Sequence, residues 1–332
     1  MITVKHKQTE IGEIPEDWEI DNIENLFEIK TGTTPSTKEK EFWDDGTIDW
    51  ITPADMSKMN SNINLPYSNR KITDKALEET NLTLMPTGSI IISTRAPVGY
   101  VGIVKKRATF NQGCKGLIPK DPERANALFY AYYLINKRPY LETISGGSTF
   151  KELSKDSLAN LEVTVPSFPE QKAIAEVLST VDEAIQKVEQ AIEKTERLKK
   201  GLMQNLLISG IGHDNFKKVR IGLKDYRIPN SWDVSDLLSS STLKGRIGWQ
   251  GLTRKEYLDT GDYYLVTGTD FENDRVNWNR CYYVSKERYN QDQNIQFEEE
   301  DILITKDDSI GKIAFIDFLP KKATFQDLFI TL

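Results

Sequence analysis

The 332-residue chain contains two cysteines, Cys114 and Cys281, and two histidines, His6 and His213. Two thiols in a chain of this length exclude a disulfide-stapled scaffold. Two imidazoles distant in sequence leave no histidine-based acid–base pair, and nothing has the ligand spacing of a zinc site. No apolar run approaches the ~18 residues that span a bilayer. The opening Met1–Glu10 (MITVKHKQTE) lacks the apolar centre of a signal peptide, so a cytoplasmic location without membrane contact is expected. Positive charge is in deficit, 43 Lys plus Arg against 50 Asp plus Glu, for a formal charge of −7. That excludes a coat of positive charge but leaves room for a local basic groove. The hydrophobic share of 38% supports packed cores, and the length suits two medium domains.

Catalytic signatures are also missing. An adenine methyltransferase loop needs Asn/Asp-Pro-Pro-Phe/Tyr; the nearest string, Lys137-Arg138-Pro139-Tyr140, lacks the polar residue and one proline. A phosphate-cradling loop fails because Gly311-Lys312 is followed by Ile313. Asp301 and Lys306 bracket a strand-like run in the manner of a metal-dependent nuclease, yet the matching position in the first half of the chain is Ser89. The chain by itself is expected not to be an enzyme.

What is present is a repeat. Ile14-Pro15-Glu16-Asp17-Trp18 returns as Ile228-Pro229-Asn230-Ser231-Trp232 at an offset of 214. The run Ile90-Ile91-Ile92-Ser93-Thr94 returns as Ile302-Leu303-Ile304-Thr305-Lys306 at 212, each followed by an aliphatic–glycine pair, Val98-Gly99 and Ile310-Gly311. Ala108-Thr109-Phe110 returns as Ala323-Thr324-Phe325 at 215. Three landmarks in one order with nearly constant offset imply two divergent copies of one mixed α and β module. By that alignment Leu332 matches Leu117, so the second copy is expected to be incomplete, short of roughly 93 residues and a second long helix. A strand is expected over Phe325–Leu332, a buried helix over Leu128–Ile135, and an exposed loop over Thr31–Ser36.

Between the copies, residues 170 to 200 carry neither proline nor interior glycine. Pro169 suits a first helical turn and Ser209-Gly210 a stop. Leu178, Val181, Ile185, Val188, Ile192, Leu202 and Leu206 recur at spacings of three and four, a coiled-coil seam that needs a partner. The expected organisation is a first domain at 1–165, a long spacer helix at 166–210 and a second domain at 211–332. The fold class is α+β, two similar mixed modules joined by a coiled-coil-type helix.

Paired modules presenting loops suit a ligand with two separated patches, and duplex DNA is such a ligand. Reading it takes Arg and Lys for phosphate and guanine, and Asn and Gln for adenine. The loop candidates in the first copy are Lys30, Thr33, Thr34, Ser36, Lys38, Arg95, Asn111, Gln112, Lys115, Thr149 and Lys151. In the second they are Lys244, Arg246, Trp249, Gln250, Lys306, Lys312 and Gln326. A helix-mediated assembly scaffold without DNA preference is the alternative.

Pro166-Ser167-Phe168-Pro169-Glu170-Gln171-Lys172-Ala173-Ile174-Ala175, with Leu178, Asp182 and Ile185 and the ending Leu198-Lys199-Lys200-Gly201-Leu202-Met203-Gln204-Asn205-Leu206-Leu207, resembles the central helix of specificity subunits of Type I restriction–modification systems. Ile11–Trp18, Ser93–Gly99 and Asn111–Gly116 resemble segments of their target-recognition domains. The resemblance implies two target-recognition domains, each reading half of a bipartite site. It also implies helices that pack antiparallel and hold methylation subunits, and a restriction subunit that cleaves. S-adenosylmethionine, ATP and magnesium would sit on those partners and no cofactor on this chain. For a chain lacking the second helix, the resemblance implies assembly either by a homodimer through the first helix or by fragment complementation.

Overall fold

The computed structural model describes the chain except residues 1–4, 60–61, 96, 148–150, 246–251, 307–309, 327 and 332, and the side chains of 238 and 328–331. Thr149, Arg246, Trp249 and Gln250 therefore lie outside the described residues. Two compact units are defined, Met1–Lys200 and Gly201–Leu332.

In the first unit the triple isoleucine Ile90-Ile91-Ile92 explains the layering. A strand buried on both faces reads as a continuous apolar run, and all three residues are fully buried. Their strand, Ile90–Ser93, lies inside a four-stranded antiparallel sheet ordered Phe27–Thr31, Cys114–Pro119, Ile90–Ser93, Val101–Ile103. Ile90 and Ile92 pack into a core with Phe129, Tyr130 and Leu134 of the helix Ala127–Asn136. Ile91, on the other face, packs with Ile51, Met85 and Phe110. Ile51 and Phe110 belong to a second sheet, ordered Lys71–Ile72, Ile48–Ile51, Ala108–Phe110, whose last two strands run parallel, and Met85 bridges to its Ala108. Helices thus cover one face of the central sheet and a small mixed sheet covers the other.

The second unit rebuilds this frame. Thr242–Gly245, Leu328–Thr331, Ile302–Ile304 and Ile313–Phe315 form the four-stranded antiparallel sheet. Tyr263–Val266 pairs in parallel with Ala323–Phe325, as Ile48–Ile51 does with Ala108–Phe110. The agreement extends to single hydrogen bonds. Thr52 and Asp55 form a capping box at the end of their strand, and so do Thr267 and Asp270. Gly99 donates to the Ser93 carbonyl at 2.9 Å and Gly311 to that of Thr305 at 2.8 Å, both glycines at positive φ (82° and 87°). The expected fold class, two similar mixed modules and a long helix between sheet-rich domains, is what the structure shows. One element differs: the strand expected over Phe325–Leu332 is two strands, because Ala323–Phe325 serves the mixed sheet and Leu328–Thr331 the antiparallel one.

The helix Phe168–Ser209 is 42 residues long, about 63 Å at 1.5 Å per residue. Its first turns are fastened to the first unit. Gln171, fully buried, accepts from the Asn126 N–H (2.9 Å) and donates to the carbonyls of Arg124 (3.0 Å) and Pro166 (2.9 Å). The Trp18 indole donates to Glu170 at 3.1 Å, and the Tyr132 hydroxyl to Asp182 at 2.7 Å. Beyond that anchor the seam is open: Leu178, Val181, Ile185, Val188, Ile192, Leu202 and Leu206 are each between 37% and 59% exposed.

Candidate nucleic-acid interface

The loop Thr31–Ser36 is laid onto the loop Phe110–Gln112. The Thr33 N–H donates to the Phe110 carbonyl at 3.1 Å, and the Thr34 hydroxyl meets the Gln112 side-chain oxygen. Gly32 permits the approach, since a Cβ there would lie 2.1 Å from the Asn111 carbonyl oxygen. The loop is less exposed than its sequence suggests: Gly32 and Pro35 are buried, because the chain must cross Asn111 at backbone contact. Thr33, Thr34, Asn111 and Gln112 are thereby gathered in one place. Asn111 turns its side chain inward, accepting from the Gly113 N–H at 3.0 Å and closing the turn into the next strand. Ser36 and Lys38 are exposed farther along the same loop.

A second cluster forms where three segments meet. Arg95 pairs with Glu152 at 2.8 Å, and Lys115, 7% exposed, feels both charges together with Lys155. Burial pushes the Lys115 ammonium below its ordinary value. The unfolded chain therefore holds that proton more tightly, and stability should rise with pH through the window between the folded and unfolded values. Urea titrations at alkaline pH should show this rise and should show it flattened in Lys115→Met.

Lys30 belongs to neither cluster. It lies opposite Gly116 while Lys115 lies opposite Thr31, so the two lysines point to opposite faces of the sheet, and Lys30 pairs with Glu28 of its own strand. Lys151 is exposed and donates to the Glu142 carbonyl at 3.3 Å.

In the second unit Lys244 occupies the register position of Lys30. Gln326 repeats Asn111 on the backbone: each N–H donates at 3.0 Å to the carbonyl ending the neighbouring strand, Val266 or Ile51. Lys306 and Lys312 are exposed around the turn that follows Ile302–Ile304. Asp301 is buried and accepts from the Glu298 N–H at 2.8 Å, the turn-closing task of a strand-entry residue. Burial raises the pKa of both the Cys114 and Cys281 thiols, which keeps them protonated and poorly nucleophilic. Among the described residues no group of three or more His, Cys, Asp and Glu side chains is arranged to hold a metal.

Sequence reasoning missed two groups. Tyr67, 70% exposed, has Lys71 and Lys106 near its ring (5.7 and 5.3 Å), and the Lys106 ammonium donates to its hydroxyl at 3.3 Å. The run Lys105-Lys106-Arg107 was the available signal. Arg70 lies over the Trp43 ring at 3.6 Å, beside Trp50. Nothing local in the sequence joins those residues.

Each unit carries the same frame of a four-stranded antiparallel sheet and a smaller mixed sheet, and the loops of the two copies carry different polar side chains. The profile of the Type I restriction modification DNA specificity domain matches residues 15–197, more than half of the chain, and the chain belongs to that family. It is 37% identical over 260 residues to the type I restriction enzyme MjaIX specificity subunit of Methanocaldococcus jannaschii, covering 78% of this chain and 59% of that one. It is 33% identical over 206 residues to the putative MjaX specificity subunit of the same organism, covering 61% and 45%. The chain spans about half the length of these curated relatives. The crystal structure of a Type I restriction–modification S subunit from M. genitalium superposes with a TM-score of 0.51 at 16% identity, over 94% of this chain and 72% of that one, which shows a common fold.

Proposed function

We propose that this chain is a sequence-specific DNA-recognition subunit of a Type I restriction–modification complex, active in the cytoplasm and not itself an enzyme. Each module reads one half of a bipartite duplex site. The long helix holds methylation subunits, and through them a restriction subunit, by its open seam, or pairs with the helix of a second copy. S-adenosylmethionine, ATP and magnesium belong to those partners. The observation that carries this reading is the repetition of one frame with different side chains on its loops. Thr34 and Gln112 meet at one such place, and Gln326 stands where Asn111 does. A frame held constant under changing loops suits two readings of different sequence. Tyr67 with Lys71 and Lys106 is the place for phosphate contacts, which fix position without reading sequence.

Fluorescence anisotropy of the chain with its methylation subunit tests this. Affinity should fall steeply with salt and should favour one bipartite duplex over scrambled DNA. Equal affinity for both would leave only the scaffold alternative. The seam has its own expected outcome: Ile185→Asp combined with Val188→Asp should abolish co-purification of the methylation subunit. The thermal transition of the first unit should stay unchanged, since both side chains are exposed.

A further inference from the structure

Arg70 stands immediately before the strand Lys71–Ile72, and its backbone is pinned. Its carbonyl accepts from the Trp50 N–H at 3.2 Å and from the Ser68 hydroxyl at 2.6 Å. The exposed guanidinium lies 3.6 Å from the centre of the Trp43 ring and 5.5 Å from that of Trp50. The two indoles meet edge to face at 5.1 Å. Their N–H groups donate to the carbonyls of Ser36 and Thr33, each at 3.0 Å. The platform under Arg70 is therefore built on the same loop that reaches Gln112. Among the described residues Arg70 meets no carboxylate, whereas Arg95, Arg107, Arg124 and Arg138 each do.

The second unit keeps the stack and exchanges its parts. Ile48 pairs with Ile72 and Asp49 with Lys71; Tyr263, in the place of Ile48, pairs with Val284, and Leu265 pairs with Tyr282. The place of Arg70 thus falls to Tyr282. Trp43 closes the short turn Lys40–Phe42 by donating to the Lys40 carbonyl at 2.8 Å, and Tyr257 closes Arg254–Glu256 by donating to that of Arg254 at 3.3 Å. Here the turn supplies the cation. The Arg254 guanidinium lies 4.5 Å from the centre of Tyr282 and 5.3 Å from that of Tyr257, and it donates to the Tyr282 hydroxyl at 2.6 Å. What the two copies share at this spot is a planar cation braced by rings, not a residue.

We infer that Arg70 is a guanine-reading side chain of the first module, with Trp43 as its positioning residue, and that Arg254 does the same in the second. A guanidinium braced on aromatic rings loses rotamer freedom before binding and presents its remaining in-plane donors outward. Paired donors of that kind match the O6 and N7 of guanine in the major groove. The same paired donors also fit a phosphate, but a phosphate contact carries no sequence information, so loss of a base preference distinguishes the two. The inference rests on the DNA-recognition reading above.

The test is selection from a randomised duplex library by the full chain with its methylation subunit, using the unsubstituted protein, Arg70→Ala, Arg70→Lys and Arg254→Ala. The unsubstituted chain should enrich a two-part motif. Arg70→Ala and Arg70→Lys should each lose about tenfold of the preference for one guanine in one half, with the other half intact. Arg254→Ala should act on the other half only. A motif left unchanged by both Arg70 substitutions, whether or not affinity drops, would mean a phosphate contact or mere packing and overturns the assignment alone. If the unsubstituted chain enriches no motif, DNA recognition itself falls and this assignment with it. Arg70→Lys retains the charge, and its thermal transition, matched to the parent, separates lost reading from lost folding.

Discussion

Gln171→Ala should destabilise the first unit by about 4 kcal/mol, the largest effect expected from any single polar substitution here. The side chain is fully buried and makes three hydrogen bonds, all to backbone groups. Truncation leaves the Asn126 N–H and the carbonyls of Arg124 and Pro166 without partners, and an orphaned buried group costs roughly 1–3 kcal/mol. For a unit of this size the thermal midpoint should fall by about 8–16 °C. Gln171→Glu should be no milder, because it keeps the acceptor, loses both donors and buries a charge. Lys172→Ala, on the exposed side of the same turn, should change the midpoint little. Differential scanning of the three variants decides the matter. A Gln171→Ala midpoint equal to that of the parent would mean that the helix is held by apolar contacts alone.

Gly32→Ala is the second large effect, of about 3 kcal/mol. The added Cβ would meet the Asn111 carbonyl oxygen at 2.1 Å and the Phe110 ring at 2.5 Å. A collision with backbone is not relieved by a rotamer change, so the loop must lift and give up the Thr33–Phe110 hydrogen bond. Thr34 then leaves Gln112, and the Trp43–Trp50 platform loses its seat on Ser36 and Thr33. Stability should fall, and recognition of one half-site should fall with it. Gly146→Ala, with open space around its Cβ, serves as the control. A Gly32→Ala protein that reads both half-sites normally would separate this loop from recognition.

The long helix was legible because a seam at spacings of three and four needs only local periodicity. The repeat was legible because the turns at Gly99 and Gly311 and the strand entries at Ser89 and Asp301 repeat the backbone's demands in order. The candidate site was legible only in part. Asn111 and Lys115 look like free surface groups in a polar stretch, yet one closes a turn and the other is buried between strands. That fate depends on Ile92 and Thr31, which flank Lys115 in register from distant segments. Arg70 and Trp43 are 27 residues apart, and the pairing of Ile48–Ile51 with Lys71–Ile72, with the Thr73 N–H donating to the Phe42 carbonyl, brings them together. The break after Phe325 was invisible for a related reason. An unbroken apolar run does not say which of two sheets each half of it will join.

The most direct test of paired recognition is the map of methylated bases in the host genome with and without the gene for this chain, the methylation subunit being present in both strains. Deletion should erase methylation at one motif made of two short half-sites separated by a fixed, sequence-neutral gap. An unchanged map, or loss of a single undivided motif, would contradict the account.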